Sequence, residues 1–190
     1  MHKSVRFIVA ITGASGSLYG IRILEFLANN NYDISLIVSE NAQHIIQYET
    51  GKDLKSLASL ATRMYTNTDT FSPLASGTFH HNGMIIAPCT LKTLAGIANG
   101  YTDSLITRAA LCTIKENHPL ILVIRETPLD LATLTNLVAA KKNGAIILPA
   151  IPAFYHKPTS IEELVNYVVG KVLDQLRIQH TLFPPWDGGT

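Results

Sequence analysis

Five short runs along the chain are apolar at nearly every position rather than at alternate ones. They are Phe7-Ile8-Val9-Ala10-Ile11, Ile34-Ser35-Leu36-Ile37-Val38, Met84-Ile85-Ile86-Ala87, Leu120-Ile121-Leu122-Val123-Ile124 and Ala145-Ile146-Ile147-Leu148. Runs of that length without alternation predict strands buried on both faces. Helical periodicity predicts helices over Leu18 to Ala28, Glu40 to Tyr48, Leu91 to Ala98, Asp103 to Glu116 and Leu129 to Lys142. A last helix is predicted from Ser160 to about Arg177, opened by Ser160-Ile161-Glu162-Glu163 as a capping box. Strands alternating with helices imply right-handed crossovers, hence an α/β, doubly wound, mainly parallel sheet in three layers. The stretch from Thr62 to Asn82, rich in Thr, Ser and Asn, is the least regular and is expected to be an excursion near the site. With no internal repeat or domain-scale linker, residues 1–190 are expected to form one domain. The Pro/Gly-rich tail, about 179–190, should pack over the site or a neighbouring subunit.

Some charges interrupt the helical stripes. Glu49 falls on the stripe of Ala42, Ile45 and Ile46, where burial without a partner is costly. Lys171 falls on the face formed by Ile161, Leu164, Val165, Val168 and Val172. Arg108 and Lys115, seven apart, share a face of an otherwise apolar helix. A pocket that needs charge is the sharper explanation for Glu49, and a helix-end carboxylate in solvent is the alternative. For the long cations, snorkelling to the rim is the competing explanation.

Composition narrows the classes. Charged residues make up 15% of the 190, with 15 Lys and Arg against 14 Asp and Glu. That balance supplies no basic field for nucleic acid, and the low charge suggests that part of the surface is hidden in a homo-oligomer. No apolar run is long enough for a membrane span. Met1-His2-Lys3-Ser4-Val5-Arg6 runs into the first strand without a signal-peptide pattern, so a cytoplasmic protein is expected. Two cysteines, Cys89 and Cys112, are too few for a disulfide framework or a four-ligand zinc site, and Cys89 has no His-based dyad at an identifiable spacing. His80 and His81 are adjacent, point different ways and are taken as loop residues; no metal site is expected.

In an open parallel sheet, ligands bind beyond the carboxyl ends of the strands. The first strand ends in Thr12-Gly13-Ala14-Ser15-Gly16-Ser17 ahead of a helix, the second at Ser39, the third in Pro88-Cys89-Thr90-Leu91-Lys92-Thr93, and the fourth in Arg125-Glu126-Thr127-Pro128. The first loop fails the dinucleotide, Walker and nucleophile-elbow patterns. Alone it is equally a tight turn or a phosphate cradle. Hydroxyls, a cation and helix N-termini on one rim point to a phosphorylated, mononucleotide-sized ligand.

These motifs, with Leu18-Tyr19-Gly20, Leu94-Ala95-Gly96-Ile97, Pro152-Ala153-Phe154-Tyr155-His156, Val172-Leu173-Asp174-Gln175 and Trp186, resemble the UbiX-type flavin prenyltransferases nearly end to end. The resemblance implies a Rossmann-like, FMN-binding subunit of a large homo-oligomer, typically a dodecamer, with sites at subunit junctions. It implies transfer of a dimethylallyl group from dimethylallyl monophosphate to reduced FMN, at flavin N5 and C6. The prenylated FMN would pass to a UbiD-type decarboxylase. By position, Gly13, Ala14, Ser15, Ser39, Thr90, Leu91, Lys92, Thr93 and Arg125 would hold FMN, while Tyr155 and Lys171 would bind the dimethylallyl phosphate. Arg108, Lys115 and Glu126 would stand near that phosphate, with Ser15, Glu126 and Glu49 handling the proton lost on ring closure. Fixed cations would serve where an aspartate-rich magnesium motif, absent from the chain, serves other prenyltransferases. Lys at position 171, where some members have Arg, keeps the charge without the bidentate fork. The stretch at His80-His81-Asn82 need not supply the aromatic that some members stack on the allyl group.

Three alternatives compete: an FMN-dependent decarboxylase of a cysteine-derived carboxylate, which shares the fold, a direct aromatic-acid decarboxylase, and a non-catalytic FMN carrier. The Pro88-to-Thr93 turn does not match the first. Nothing here supplies the second's chemistry, and a carrier has no use for the additional cations.

Overall fold

The computed structural model describes residues 5–188; the first four residues and the end of the tail lie outside them. Six strands form one parallel sheet: β1 (Arg6–Ile11), β2 (Asp33–Val38), β3 (Arg63–Thr66), β4 (Met84–Cys89), β5 (Leu120–Ile124) and β6 (Ile146–Pro149). Their order is β3-β2-β1-β4-β5-β6, so the winding reverses between β1 and β4 and opens a crevice at their carboxyl ends.

Alternate residues of the central strands feed two cores. Phe7, Val9 and Ile11 face α1 (Ser17–Asn29), α2 (Glu40–Thr50) and α7 (Ile161–Gln175). Ile8 and Ala10 face α4 (Leu91–Asn99), α5 (Leu105–Lys115) and α6 (Leu131–Lys142). Ile8, Val9, Ala10 and Ile11 are each at most 1% exposed, which is why these runs carry no alternation. Each buried isoleucine contributes ~2–3 kcal/mol of apolar transfer.

The excursion from Thr62 to Asn82 is more ordered than expected. It contains the edge strand β3, paired with β2 from Ser35↔Arg63 to Val38↔Thr66, and a 3-10 turn at Pro73–Ala75. Within β3 only Tyr65 is buried, so a four-residue edge strand left no apolar run. A short α3 (Leu54–Ala58), capped by Asp53, also escaped the periodicity. Ser160 caps α7 by accepting from the Glu163 N–H, but the Glu163 carboxylate accepts from the Thr159 N–H outside the helix. Ile161, placed on the apolar face by spacing, is exposed with the rest of that first turn.

Candidate active site

The loop after β1 is clamped from three sides. The Thr12 hydroxyl donates to the Pro88 carbonyl at 2.7 Å and accepts from the Thr90 N–H at 2.8 Å, joining the ends of β1 and β4. Arg125 Nε donates to the Ser15 carbonyl at 3.0 Å. Gly16, at φ +95°, turns the chain into α1 through a conformation that side chains rarely adopt.

Glu49 supplies the third clamp. Its carboxylate accepts from the Gly16 N–H at 3.1 Å, the Ser17 N–H at 2.9 Å and the Ser17 hydroxyl at 2.6 Å. Partial burial raises its affinity for a proton. Hydrogen bonds from the Ser17 and Ser15 hydroxyls and the two N–H groups outweigh that, and hold the carboxyl below its ordinary range. The stripe argument put Glu49 on the inner side, and it is half-buried there. Its partner is the N-terminus of α1, so the donors that the sequence offered to a ligand phosphate already hold a carboxylate.

The open cleft lies alongside, at the ends of β1 to β4, with a volume of about 580 Å³, within the ~300–1,000 Å³ range of small-molecule sites. Three helix N-termini border it, each capped by a hydroxyl. Ser39 accepts from the Ala42 N–H in α2, Thr90 from the Thr93 N–H in α4, and Ser104 from the Thr107 N–H in α5. Gly13, Ser39, Thr90, Lys92 and Thr93 line this cleft; Ala14, Ser15, Leu91 and Arg125 are not among its lining residues. Lys92 Nζ is already 3.1 Å from Asp103 Oδ2 at the mouth. Sequence reasoning missed Asn67, Tyr101, Asp103 and Ser104. Asn67 follows the unrecognised β3 and accepts the Ile106 and Leu105 N–H groups with its side chain and carbonyl. The available signal was Ser104, an N-cap residue ahead of an apolar helix.

The other expected residues occupy different places. A groove of about 980 Å³ beside α7 and the tail contains Tyr155 and Lys171, with Tyr167, Phe183 and Trp186. The Tyr155 hydroxyl donates to the Pro184 carbonyl at 2.9 Å, and Trp186 stands edge-on to its ring. Lys171 is partly exposed and ion-paired to Asp174 at 2.8 Å, which raises its pKa. Arg108 and Lys115 are exposed on α5, across the sheet from α7. Arg108 Nε donates to the Ala75 carbonyl at 3.0 Å, and Lys115 lies 3.4 Å from Glu116. Both cations therefore sit at the surface, as snorkelling side chains do. Glu126 is exposed, accepts from the Thr127 N–H and lies 4.0 Å from Arg125. One protomer thus does not gather all the cations around one phosphate.

Cys89 is fully buried, which pushes its thiol well above the ordinary range and removes it as a nucleophile. His80 and His81 both lie in the loop ahead of β4, where His80 is exposed but His81 is buried. It is 8% exposed, packs on His118 and lies 3.4 Å from the Thr113 hydroxyl. Among the described residues no group of three or more His, Cys, Asp or Glu could hold a metal. None of their helices is long and apolar enough to cross a membrane.

The flavoprotein family model matches residues 1–173. Flavin prenyltransferase UbiX of Thauera aromatica is 44% identical over 184 residues, covering 97% of this chain and 95% of that protein. The crystal structure of AnUbiX (PadA1) in complex with FMN and dimethylallyl pyrophosphate superimposes with a TM-score of 0.96. It is 40% identical, with 98% and 99% of the two chains covered. A dodecameric, FMN-dependent UbiX-like decarboxylase from Escherichia coli superimposes at 0.94 with 38% identity, covering 97% of this chain and all of that one. The peptidyl-cysteine decarboxylase EpiD, at 14% identity and a TM-score of 0.68, shares the fold alone.

Proposed function

Because the chain belongs to the flavoprotein family and, within it, to the UbiX-type flavin prenyltransferases, we propose that its residues transfer a dimethylallyl group to reduced FMN at a site shared between subunits. The observation that carries the flavin site is the convergence of three capped helix N-termini on one hydroxyl-lined cleft. Their aligned N–H dipoles favour a phosphate there, while the α1 N-terminus is filled by Glu49. Ser39, Thr90 and Thr93 would hold the flavin phosphate, and Gly13, where a Cβ would meet Asn41 at 2.7 Å, lets the start of α2 close against the loop. When bound in reduced form, FMN supplies the electron-rich N5 and C6 positions that accept the prenyl group.

Lys171 and the Tyr155 hydroxyl would take the donor's phosphate. Arg108 and Lys115 would reach the same phosphate from a neighbouring subunit, since the sheet separates α5 from α7 within one chain. Fixed cations there stabilise the negative charge on the leaving phosphate without reorganising. Glu49 orients the Ser15 hydroxyl; with Glu126 on the neighbouring rim, these groups would remove the proton from C6. The subunit is assigned to a homododecamer in the cytoplasm, dimethylallyl monophosphate to the donor, and a UbiD-type decarboxylase to the recipient of the product.

The test is anaerobic incubation of the protein with reduced FMN and either dimethylallyl monophosphate or the diphosphate, followed by the flavin's mass. The expected result is a gain of one five-carbon prenyl unit with the monophosphate. An unchanged flavin with both donors overturns the transfer, and product from the diphosphate alone overturns the donor assignment.

A further inference from the structure

The tail is joined to α7 by a short polar chain that ends on Lys171. Lys171 Nζ lies 2.8 Å from Asp174 Oδ2, one helical turn on, and Asp174 Oδ1 lies 3.1 Å from His180 Nε2. The other ring nitrogen, Nδ1, accepts from the Leu182 N–H at 3.2 Å. A nitrogen that accepts carries a lone pair, so in the neutral ring the proton sits on Nε2 and is donated to Asp174. The His180 side chain is only 7% exposed, against 42% for Lys171 and 40% for Asp174. The ring is the fixed member and the ion pair the movable one.

A separate observation fixes the ring's position. A Cβ at Gly170 would come within 2.4 Å of the Phe183 ring and 2.6 Å of the His180 ring. The tail therefore seats on α7 in a notch that only glycine leaves. From that seat it also sets Pro184 against Tyr155 and Trp186 beside the same ring.

We infer that His180 is a positioning residue for Lys171, acting through Asp174, an inference that rests on the reading of Lys171 as a ligand of the donor's phosphate. His180 occupies one carboxylate oxygen and leaves the other for Lys171. Without that donor, both oxygens turn to the ammonium and hold it along α7. A lysine is a point charge on a flexible stem, so its place depends on the partner that restrains it. An arginine in that position would bring its own planar fork; the lysine of this chain relies on Asp174 and His180.

The experiment uses the FMN-loaded oligomer and dimethylallyl monophosphate as the varied substrate. His180→Asn keeps an acceptor for the Leu182 N–H but is too short to reach Asp174. His180→Gln keeps a donor toward Asp174. The expected result is a KM for the donor raised roughly 3- to 5-fold in His180→Asn, the size of a half-exposed charge interaction. Its kcat should change less than about twofold, and His180→Gln should return KM to near the wild-type value. Trp186, the only tryptophan, reports tail seating by its fluorescence and should be unchanged in both variants. Lys171→Met is the reference. If it leaves the donor KM unchanged, the reading of Lys171 fails and the inference with it. If Lys171→Met raises KM and His180→Asn does not, the role of His180 alone is overturned. Equal increases in the Asn and Gln variants, or shifted Trp186 emission, would mean that His180 only holds the tail, which also overturns it.

Discussion

At the scale of single residues, Glu49 shows how a position can be legible while its partner is not. Spacing on α2 put a carboxylate on the inner stripe, but nothing local says that the N-terminus of α1 lies opposite. The sequence alone left open that an amide would be cheaper to bury. With two N–H groups and a hydroxyl aimed at the carboxylate, Glu49→Gln turns an amide NH₂ toward donors, and should cost about 1–3 kcal/mol of stability. The same variant should still bind FMN while ring closure slows by ~10²–10⁴-fold. Thermal unfolding and flavin mass spectrometry check the two halves; full-rate cyclisation leaves Glu49 a structural clamp only. His81 makes a second case. Burial, with Arg6 and His118 nearby, lowers its pKa from 6.5 to about 4. The unfolded chain therefore takes up that proton first as pH falls, and stability is lost between pH 6.5 and about 4 and level above. The loss is up to roughly 3 kcal/mol, less where water reaches the ring. Urea midpoints at pH 7.5 and 4.5 should differ more for the wild type than for His81→Leu. Equal differences would show that the ring is not desolvated.

Among the elements, helix α1 is placed by an absence of side chain. A Cβ at Gly20 would lie 2.1 Å from the Ala87 carbonyl and 2.9 Å from Ile11, so α1 approaches β1 and β4 backbone-close. Gly20→Ala must lift α1 from the sheet, and with it Gly16, Ser17 and the Glu49 clamp. The expected cost is about 3 kcal/mol, the upper end for overpacking, with weakened flavin binding. An unchanged melting temperature would mean that the helix shifts freely. The Leu-Tyr-Gly pattern was visible in the sequence, but whether the glycine served a turn or a contact was not, because that depends on β4, more than sixty residues away. The reverse failure is β3, whose Arg63-Met64-Tyr65-Thr66 neither alternates nor forms an apolar run and is too short and too exposed to register as a strand.

For the whole molecule, the cations expected around the donor phosphate lie on opposite faces of the sheet, Arg108 and Lys115 on α5 and Lys171 on α7. A site that uses all of them must draw on more than one copy. Exposed apolar side chains such as Leu131, Val138, Ile151 and Phe154 are consistent with surfaces that meet in an assembly. Oligomers co-assembled from equal amounts of Arg108→Ala and Lys171→Ala subunits should recover roughly a quarter of the wild-type sites, because random mixing pairs two intact halves that often. No recovery, with both variants inactive and still oligomeric, would place the two cations in one protomer's site.

The five buried strand runs, the periods of the longer helices and the Ser160 cap were determined by the sequence alone, because burial on both faces, a 3.6-residue repeat and a capping hydroxyl are local requirements. The same holds for the polar strand ends, since a parallel sheet fixes which ends face the ligand. The tertiary structure decided what each polar group meets: Glu49 on α1 rather than a ligand on α1, Lys171 on Asp174, and the tail in the notch at Gly170. Those pairings join segments distant in sequence or fix rotamers within a helix. Electrostatic and hydrogen-bond partners depend on distances of a few ångströms that residue spacing along a chain does not encode.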